Sequence, residues 1–203
     1  MWNKLREPLR EKLEELGFSQ LNELQSEALD KFRAGKQLVI EASEGSGKSF
    51  FGALSLVQKI EVPTEGSPRG IMICLSDEEA RATHAFLLPI AKAFDLTVDL
   101  VTEKGNKLQQ RNDLFDGTEI IIGTPKRLHE LYIQNGFNVG KISVFVVDDF
   151  DQQMKKGLNM QISRLAESLP KCQHVYLTNS ISDARVQQYL ESVVPHAEVV
   201  EER

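Results

Sequence analysis

Cysteine is scarce in this chain. Only Cys74 and Cys172 occur in 203 residues, far apart in sequence. Such a pair offers neither a disulfide framework nor metal-ligand spacing, and it points to a reducing compartment. Cys74 lies in an apolar run and reads as a core thiol. The four histidines, His84, His129, His174 and His196, have no second His or Cys at i+3 or i+4 and read as surface or packing residues. Positive charge is also short: 24 Lys and Arg against 30 Asp and Glu leave a net charge of −6. No global basic field draws the chain to nucleic acid, so any such contact is expected to be local and weak. No apolar stretch approaches the length of a membrane span, and the N-terminus lacks the apolar core of a signal peptide. A cytoplasmic protein that does not engage a membrane is the expectation. Internal repeats and low-complexity tracts are absent. The length suits one large α/β domain or two small ones, and one is simpler.

What is present alternates. The patterning predicts helices over residues 8–16 and 23–34, stopped by Gly17 and Gly35. A strand follows at 38–41, then a helix at 48–59 and a loop with two prolines at 61–69. Strands are expected at 70–75, 97–101, 119–122, 143–147, 174–177 and 197–200. Helices are expected between them at 77–94, 108–115, 125–134, 151–168 and 183–193. Short apolar strands separated by helices define an α/β fold, a parallel sheet with helices on both faces. The acids Glu11, Glu14 and Glu15, and likewise Asp77, Glu78 and Glu79, read as solvated helix faces.

Residues 42–49, Ala-Ser-Glu-Gly-Ser-Gly-Lys-Ser, follow the apolar run Leu38-Val39-Ile40. A buried strand, a glycine-rich turn and Lys-Ser opening a helix make a phosphate cradle, or P-loop. Gly45 and Gly47 let the backbone turn, and the N–H groups of the turn and the helix start favour anions. Glu44, Gly45, Ser46, Gly47, Lys48 and Ser49 would line it, with Lys48 on phosphate and the Ser49 hydroxyl on Mg²⁺. The acidic partner is expected after Val144-Phe145-Val146-Val147. Asp148 would hold the metal through water, and Asp149 would orient or deprotonate an attacking water.

With these residues in place, the chain resembles the N-terminal RecA-like domain of DEAD-box RNA helicases over nearly its whole length. That family's P-loop begins with Ala, as Ala42 does, and Asp148-Asp149-Phe150-Asp151 stands where Asp-Glu-Ala-Asp belongs. Gly17-Phe18, Leu21-Asn22 and Leu24-Gln25 match the spacing of its adenine-reading Q motif. The resemblance implies ATP and Mg²⁺ as cofactors. Gln25 would read adenine N6 and N7, Phe18 would pack near the base, and Trp2 would be the counterpart of an upstream stacking aromatic. It implies RNA contacts at Ser76, Thr124 and Arg127. Asp151, Thr178 and Ser180 would couple the nucleotide site to a partner domain.

The departures fall on working parts. Asp149 is one methylene shorter than the family's Glu, and a misplacement of about an ångström can cost about 10²-fold in rate. Phe150 replaces a small Ala. Asp77 stands where the family has an RNA-gripping Arg, and it reads best as a helix N-cap. A Gly-Gly turn is blurred into Glu103-Lys104-Gly105. The expected organisation is a single RecA-like ATP-binding domain over 1–203, with Q-motif helices at 1–35 and the sheet core at 36–203, and with no second RecA-like domain. Either an excised domain or a natural end is consistent with this, and the initiating Met and the charged tail Glu201-Glu202-Arg203 fit a natural terminus. The expected function is an ATP-binding first half of an RNA helicase, with weak RNA binding and little or no unwinding alone. The alternative is a non-catalytic regulatory module acting through a protein partner. A small phosphotransferase fits less well, because two helices precede the P-loop and no Arg cluster follows it.

Overall fold

The computed structural model describes residues 4–64 and 66–202. In chain order its elements are α1 (Glu7–Glu15), α2 (Glu23–Arg33), β1 (Leu38–Glu41), α3 (Lys48–Lys59), β2 (Gly70–Ile73), α4 (Asp77–Lys92), β3 (Val98–Val101), α5 (Lys107–Asp116), β4 (Ile120–Gly123), α6 (Pro125–Ile133), β5 (Val144–Val147), α7 (Phe150–Lys155), α8 (Asn159–Ala166), β6 (Gln173–Thr178), α9 (Ala184–Val193) and β7 (Glu198–Glu201). The strands form one seven-stranded sheet in the order β3-β4-β2-β5-β6-β1-β7. Every pairing is parallel.

A sheet covered on both faces needs apolar side chains pointing both ways. β2, β4, β5 and β6 are buried at every position. Alternation sorts them into two cores. Val144 and Val146 face the layer of α1 to α4, with Met72, Leu177 and Ile40. Phe145 and Val147 face the layer of α5 to α9, with Ile71, Ile73 and Tyr176.

Helix ends follow local chemistry. After α1 and α2, Gly17 and Gly35 take left-handed conformations (φ 89° and 80°), which a Cβ would penalise. The expected helix over 151–168 is in fact α7 and α8. Gly157 (φ 73°) closes α7, with its own N–H on Met154 O and the Leu158 N–H on Gln153 O. This is a Schellman stop in the middle of an otherwise periodic stretch. The N-cap of α4 is Ser76, not Asp77. The Ser76 hydroxyl accepts from the Glu79 N–H (3.2 Å), and Glu79 accepts from the Ser76 N–H (3.0 Å). Asp77 is the first helical residue, and its side chain is only 11 % exposed, against Arg81. It is therefore not part of a solvated acidic face.

Among the described residues no helix is long and apolar enough to cross a membrane.

Candidate nucleotide site

The parallel register brings the ends of β1, β5 and β6 together at one edge of the sheet. The loop from β1 into α3 turns through Gly45 (φ 81°) and Gly47 (φ 84°). A Cβ on Gly47 would lie 2.3 Å from Gln25 Nε2, so a side chain there would displace the Gln25 amide from the loop. Lys48 opens α3 and is 5 % exposed. Its ammonium donates to Ser43 O (3.0 Å). The Ser46 hydroxyl is buried without a hydrogen-bond partner, and Ser49 is exposed.

The connection between α1 and α2 leans on this loop. Asn22 caps α2 in a reciprocal box with Gln25: the Gln25 N–H donates to Asn22 Oδ1 (2.8 Å) and the Asn22 N–H to Gln25 Oε1 (3.1 Å). Both side-chain amides then reach the P-loop, Asn22 Nδ2 donating to Ser46 O (2.7 Å) and Gln25 Nε2 to Gly47 O (3.1 Å). The Gln25 amide keeps one N–H and one lone pair unspent. Phe18, 36 % exposed, packs on Phe50 (ring centroids 4.8 Å apart) and Phe86 (5.9 Å). Trp2 lies outside the described residues.

Asp148 is 5 % exposed at the end of β5. Burial pushes its carboxyl up to about 6; a hydrogen bond from Ser49 opposes the rise, and the Asp149 charge adds to it. Asp149 is also shifted upward, by burial and then by the Glu79 carboxylate, with Lys48 pulling the other way. Its backbone is left-handed (φ 45°), a strained conformation for a residue other than glycine. Its N–H donates to Asp148 Oδ1 (2.9 Å).

Asp151, 1 % exposed, joins β5 to β6. It accepts from the Thr178 hydroxyl and the Asn179 N–H (both 3.1 Å), Gln152 (2.7 Å) and Lys155 (3.0 Å). Burial works to raise its pKa, but the hydrogen bonds from Asn179, Lys155 and Thr178 hold it low. The Thr178 hydroxyl oxygen also accepts from the Ser180 N–H (3.3 Å), which brings Ser180 to the same corner. Phe150 points away from the opening, buried between Tyr176 and Tyr189 (centroids 4.9 Å to each).

The residues expected to touch RNA do not share this openness. The Ser76 hydroxyl oxygen accepts from the Glu79 N–H in its cap and keeps its own O–H to donate. Thr124, 4 % exposed, donates to Glu103. Arg127, 8 % exposed, donates to Gln110 Oε1 (2.8 Å), Gly105 O and Glu103 O (both 3.2 Å), and its Nε lies 3.1 Å from Glu130. Asp77 is engaged by Arg81 (2.8 Å), Thr102 and Lys104 (3.7 Å).

Several contributors escaped the sequence reading. Gln153, fully buried, donates to Asp148 O (2.6 Å) from the next helix turn. Glu202 accepts from both the N–H (2.8 Å) and the hydroxyl (2.6 Å) of Ser43. No spacing rule links residues 43 and 202, and only the pairing of β7 with β1 brings them together.

The fold and this loop define a RecA-like P-loop domain. Residues 22–189 match the DEAD/DEAH box helicase family, to which the chain belongs. Among relatives, the ATP-dependent RNA helicase eIF4A of Chaetomium globosum is 24% identical over 164 residues, 81% of this chain and 41% of that protein. The chain thus spans about two fifths of the length of that relative. Saccharomyces cerevisiae Dbp5 bound to RNA and ADP BeF3 superposes with a TM-score of 0.86 at 26% identity, covering 98% of this chain and 50% of that one. A DEAD box protein from Methanococcus jannaschii shares the fold at a TM-score of 0.90 and 15% identity, over 98% and 54% of the two chains.

Proposed function

We propose that the chain is a magnesium–ATP-binding half of a DEAD-box machine, with weak RNA affinity and little or no unwinding of its own. One observation carries this: Lys48 and Asp148, both nearly buried, face the same glycine loop, yet burial holds Asp148 toward its neutral form. Desolvated opposite charges at a P-loop are costly unless a ligand completes them. The unpartnered Ser46 hydroxyl and the exposed Ser49 fit the same group. Lys48 and the N–H groups of 44–49 would hold the phosphates. Ser49 and Asp148 would hold Mg²⁺, which supplies charge neutralisation at the phosphates. Gln25, with its spare donor and acceptor, would read adenine. Asp149 would orient water from a shorter arm than the family's Glu. A second RecA-like domain, on this chain or another, would engage the corner formed by Asp151, Thr178 and Ser180.

The inward pairing of Thr124, Arg127 and Asp77 favours a second reading. In it the chain binds nucleotide without turnover and acts through a protein partner. Steady-state ATPase assays with and without single-stranded RNA separate the two, with Lys48→Ala as the inactive control. RNA-stimulated turnover supports the first reading, and flat, near-zero turnover with retained ATP binding supports the second. Failure of wild type to bind magnesium–ATP at millimolar concentration sinks both.

A further inference from the structure

Three phenylalanine rings meet beside the P-loop from three separate elements. Phe18 comes from the connection between α1 and α2, Phe50 from the first turn of α3, and Phe86 from the middle of α4. The centroid distances are 4.8 Å for Phe18–Phe50, 5.2 Å for Phe50–Phe86 and 5.9 Å for Phe18–Phe86. The tilted and edge-on orientations are those aromatic pairs favour. Phe50 directly follows Ser49, so one turn of α3 presents Lys48 and Ser49 to the loop and Phe50 to the connection. Besides the Phe18 ring, that connection is anchored by Leu21, buried in the core, and by the Phe18 N–H on Leu13 O (2.9 Å). Ser19 and Gln20 are exposed, and it runs from Phe18 to Leu21 before Asn22 and Gln25 grip Ser46 O and Gly47 O.

We propose that Phe50 is a positioning residue for base selection: its ring, backed by Phe86, clamps Phe18 and so holds the Asn22–Gln25 box at a fixed distance from the phosphate loop. This rests on the reading of Gln25 as the adenine reader. An amide discriminates between bases only if it is held still. Freed from the clamp, it would still touch the loop but would accept adenine and guanine alike. In this proposal Lys48 and the N–H groups of the loop hold the phosphates without the ring.

The test is competition binding of ATP, GTP and inorganic tripolyphosphate, each with Mg²⁺, to the whole chain. Wild type is expected to prefer ATP. In Phe50→Ala the ATP affinity falls about tenfold and the ATP/GTP ratio moves toward one, while tripolyphosphate affinity stays within about twofold. Phe50→Leu retains apolar volume without the ring and falls between them. Phe86→Ala, remote from the loop, shows the same loss of preference in smaller measure. These two variants decide the matter if Phe50→Ala does not fold. An unchanged ATP/GTP ratio in the ring variants overturns this inference alone, as does an equal loss of ATP and tripolyphosphate affinity. A wild type that binds both nucleotides without preference overturns the adenine reading and this inference with it.

Discussion

At the sheet's carboxyl edge the carboxylates facing the P-loop and those of the far half are shifted in opposite directions, while Asp151, behind the P-loop, is paired and held low. At the end of β5, burial drives Asp148 and Asp149 upward, toward the neutral form. At the far half, beyond β2 and β4, Asp77 is held low by hydrogen bonds from Arg81 and Thr102, and Glu130 is held low by Lys107. One half holds polar groups whose needs the protein leaves unmet. The other has paired most of its own polar groups with one another, the Arg127 Nε excepted. Residue type alone does not reveal this. Thr124 and Arg127 have the chemistry to hold a phosphate, yet Thr124 already donates to Glu103 and three Arg127 N–H groups to Gly105, Gln110 and Glu103, with only the Arg127 Nε left without a hydrogen-bond partner. A motif therefore reports capacity, and the pairing around it decides whether that capacity is offered to a ligand.

The sharpest way to break this contrast is Arg127→Ala. Removing a nearly buried guanidinium leaves Gln110 Oε1 and the Gly105 and Glu103 carbonyls without their donor. The expected cost is about 2–4 kcal/mol of folding stability, read by denaturant unfolding. Arg127→Lys restores little, because one ammonium cannot reproduce the planar fork. Magnesium–ATP affinity is expected to stay within about twofold, since no contact links Arg127 to the P-loop. If stability is unchanged and only RNA affinity falls, Arg127 is a ligand contact and the far half is open after all.

A second test acts on the other half. The Asp148 carboxyl sits above its ordinary value, so the fold favours the protonated form. The stability this contributes is fully present below about pH 4 and is lost as pH rises through about 6. Asp148→Asn keeps the shape without the charge. It is expected to match wild type near pH 4 and to exceed it by up to about 3 kcal/mol at pH 7.5. Magnesium-dependent nucleotide binding should move the other way, rising with pH through about 6 in wild type and staying low and flat in the variant. Parallel pH profiles of unfolding for the two proteins would show that Asp148 carries no unmet charge.

Much of the open half was legible from sequence, because its signals are local. An apolar strand, a glycine turn and Lys-Ser within residues 38–49 specify one another. The ends of α1 and α2 were equally local, each closed by its glycine. The start of α4 was legible too but was misassigned: Ser76 with Glu79 three residues on is a capping box, and it outweighs the neighbouring Asp77. The break at Gly157 was hidden because the apolar period runs on through α7 and α8. The elements of the closed half were legible, but the pairing of its polar side chains was not. The burial of Arg127 depends on where Glu103, Gly105 and Gln110 fall after β3, a tertiary outcome with no spacing rule. The seat of Phe50 between Phe18 and Phe86 is of the same kind.

The smallest effect concerns a group that blurs the two halves, a satisfied carboxylate placed on the open side. The Glu202 N–H donates to Glu41 O (3.1 Å), extending the β1–β7 ladder by one step, and this carries its side chain to Ser43. Hydrogen bonds from Ser43 hold the Glu202 carboxylate low, with a further contribution from the Lys48 charge. A negative charge here weakens the field that Lys48 would present to a triphosphate. Glu202→Gln keeps an oxygen to accept from Ser43 and removes only the charge. Magnesium–ATP affinity should therefore rise about twofold at low salt, and the gain should vanish near 1 M salt, where screening acts within about 3 Å. ADP, with less charge, should gain less than ATP. A salt-independent loss of affinity in the variant would mean the opposite role, with the carboxylate bracing Ser43 so that the loop stays ready for phosphate.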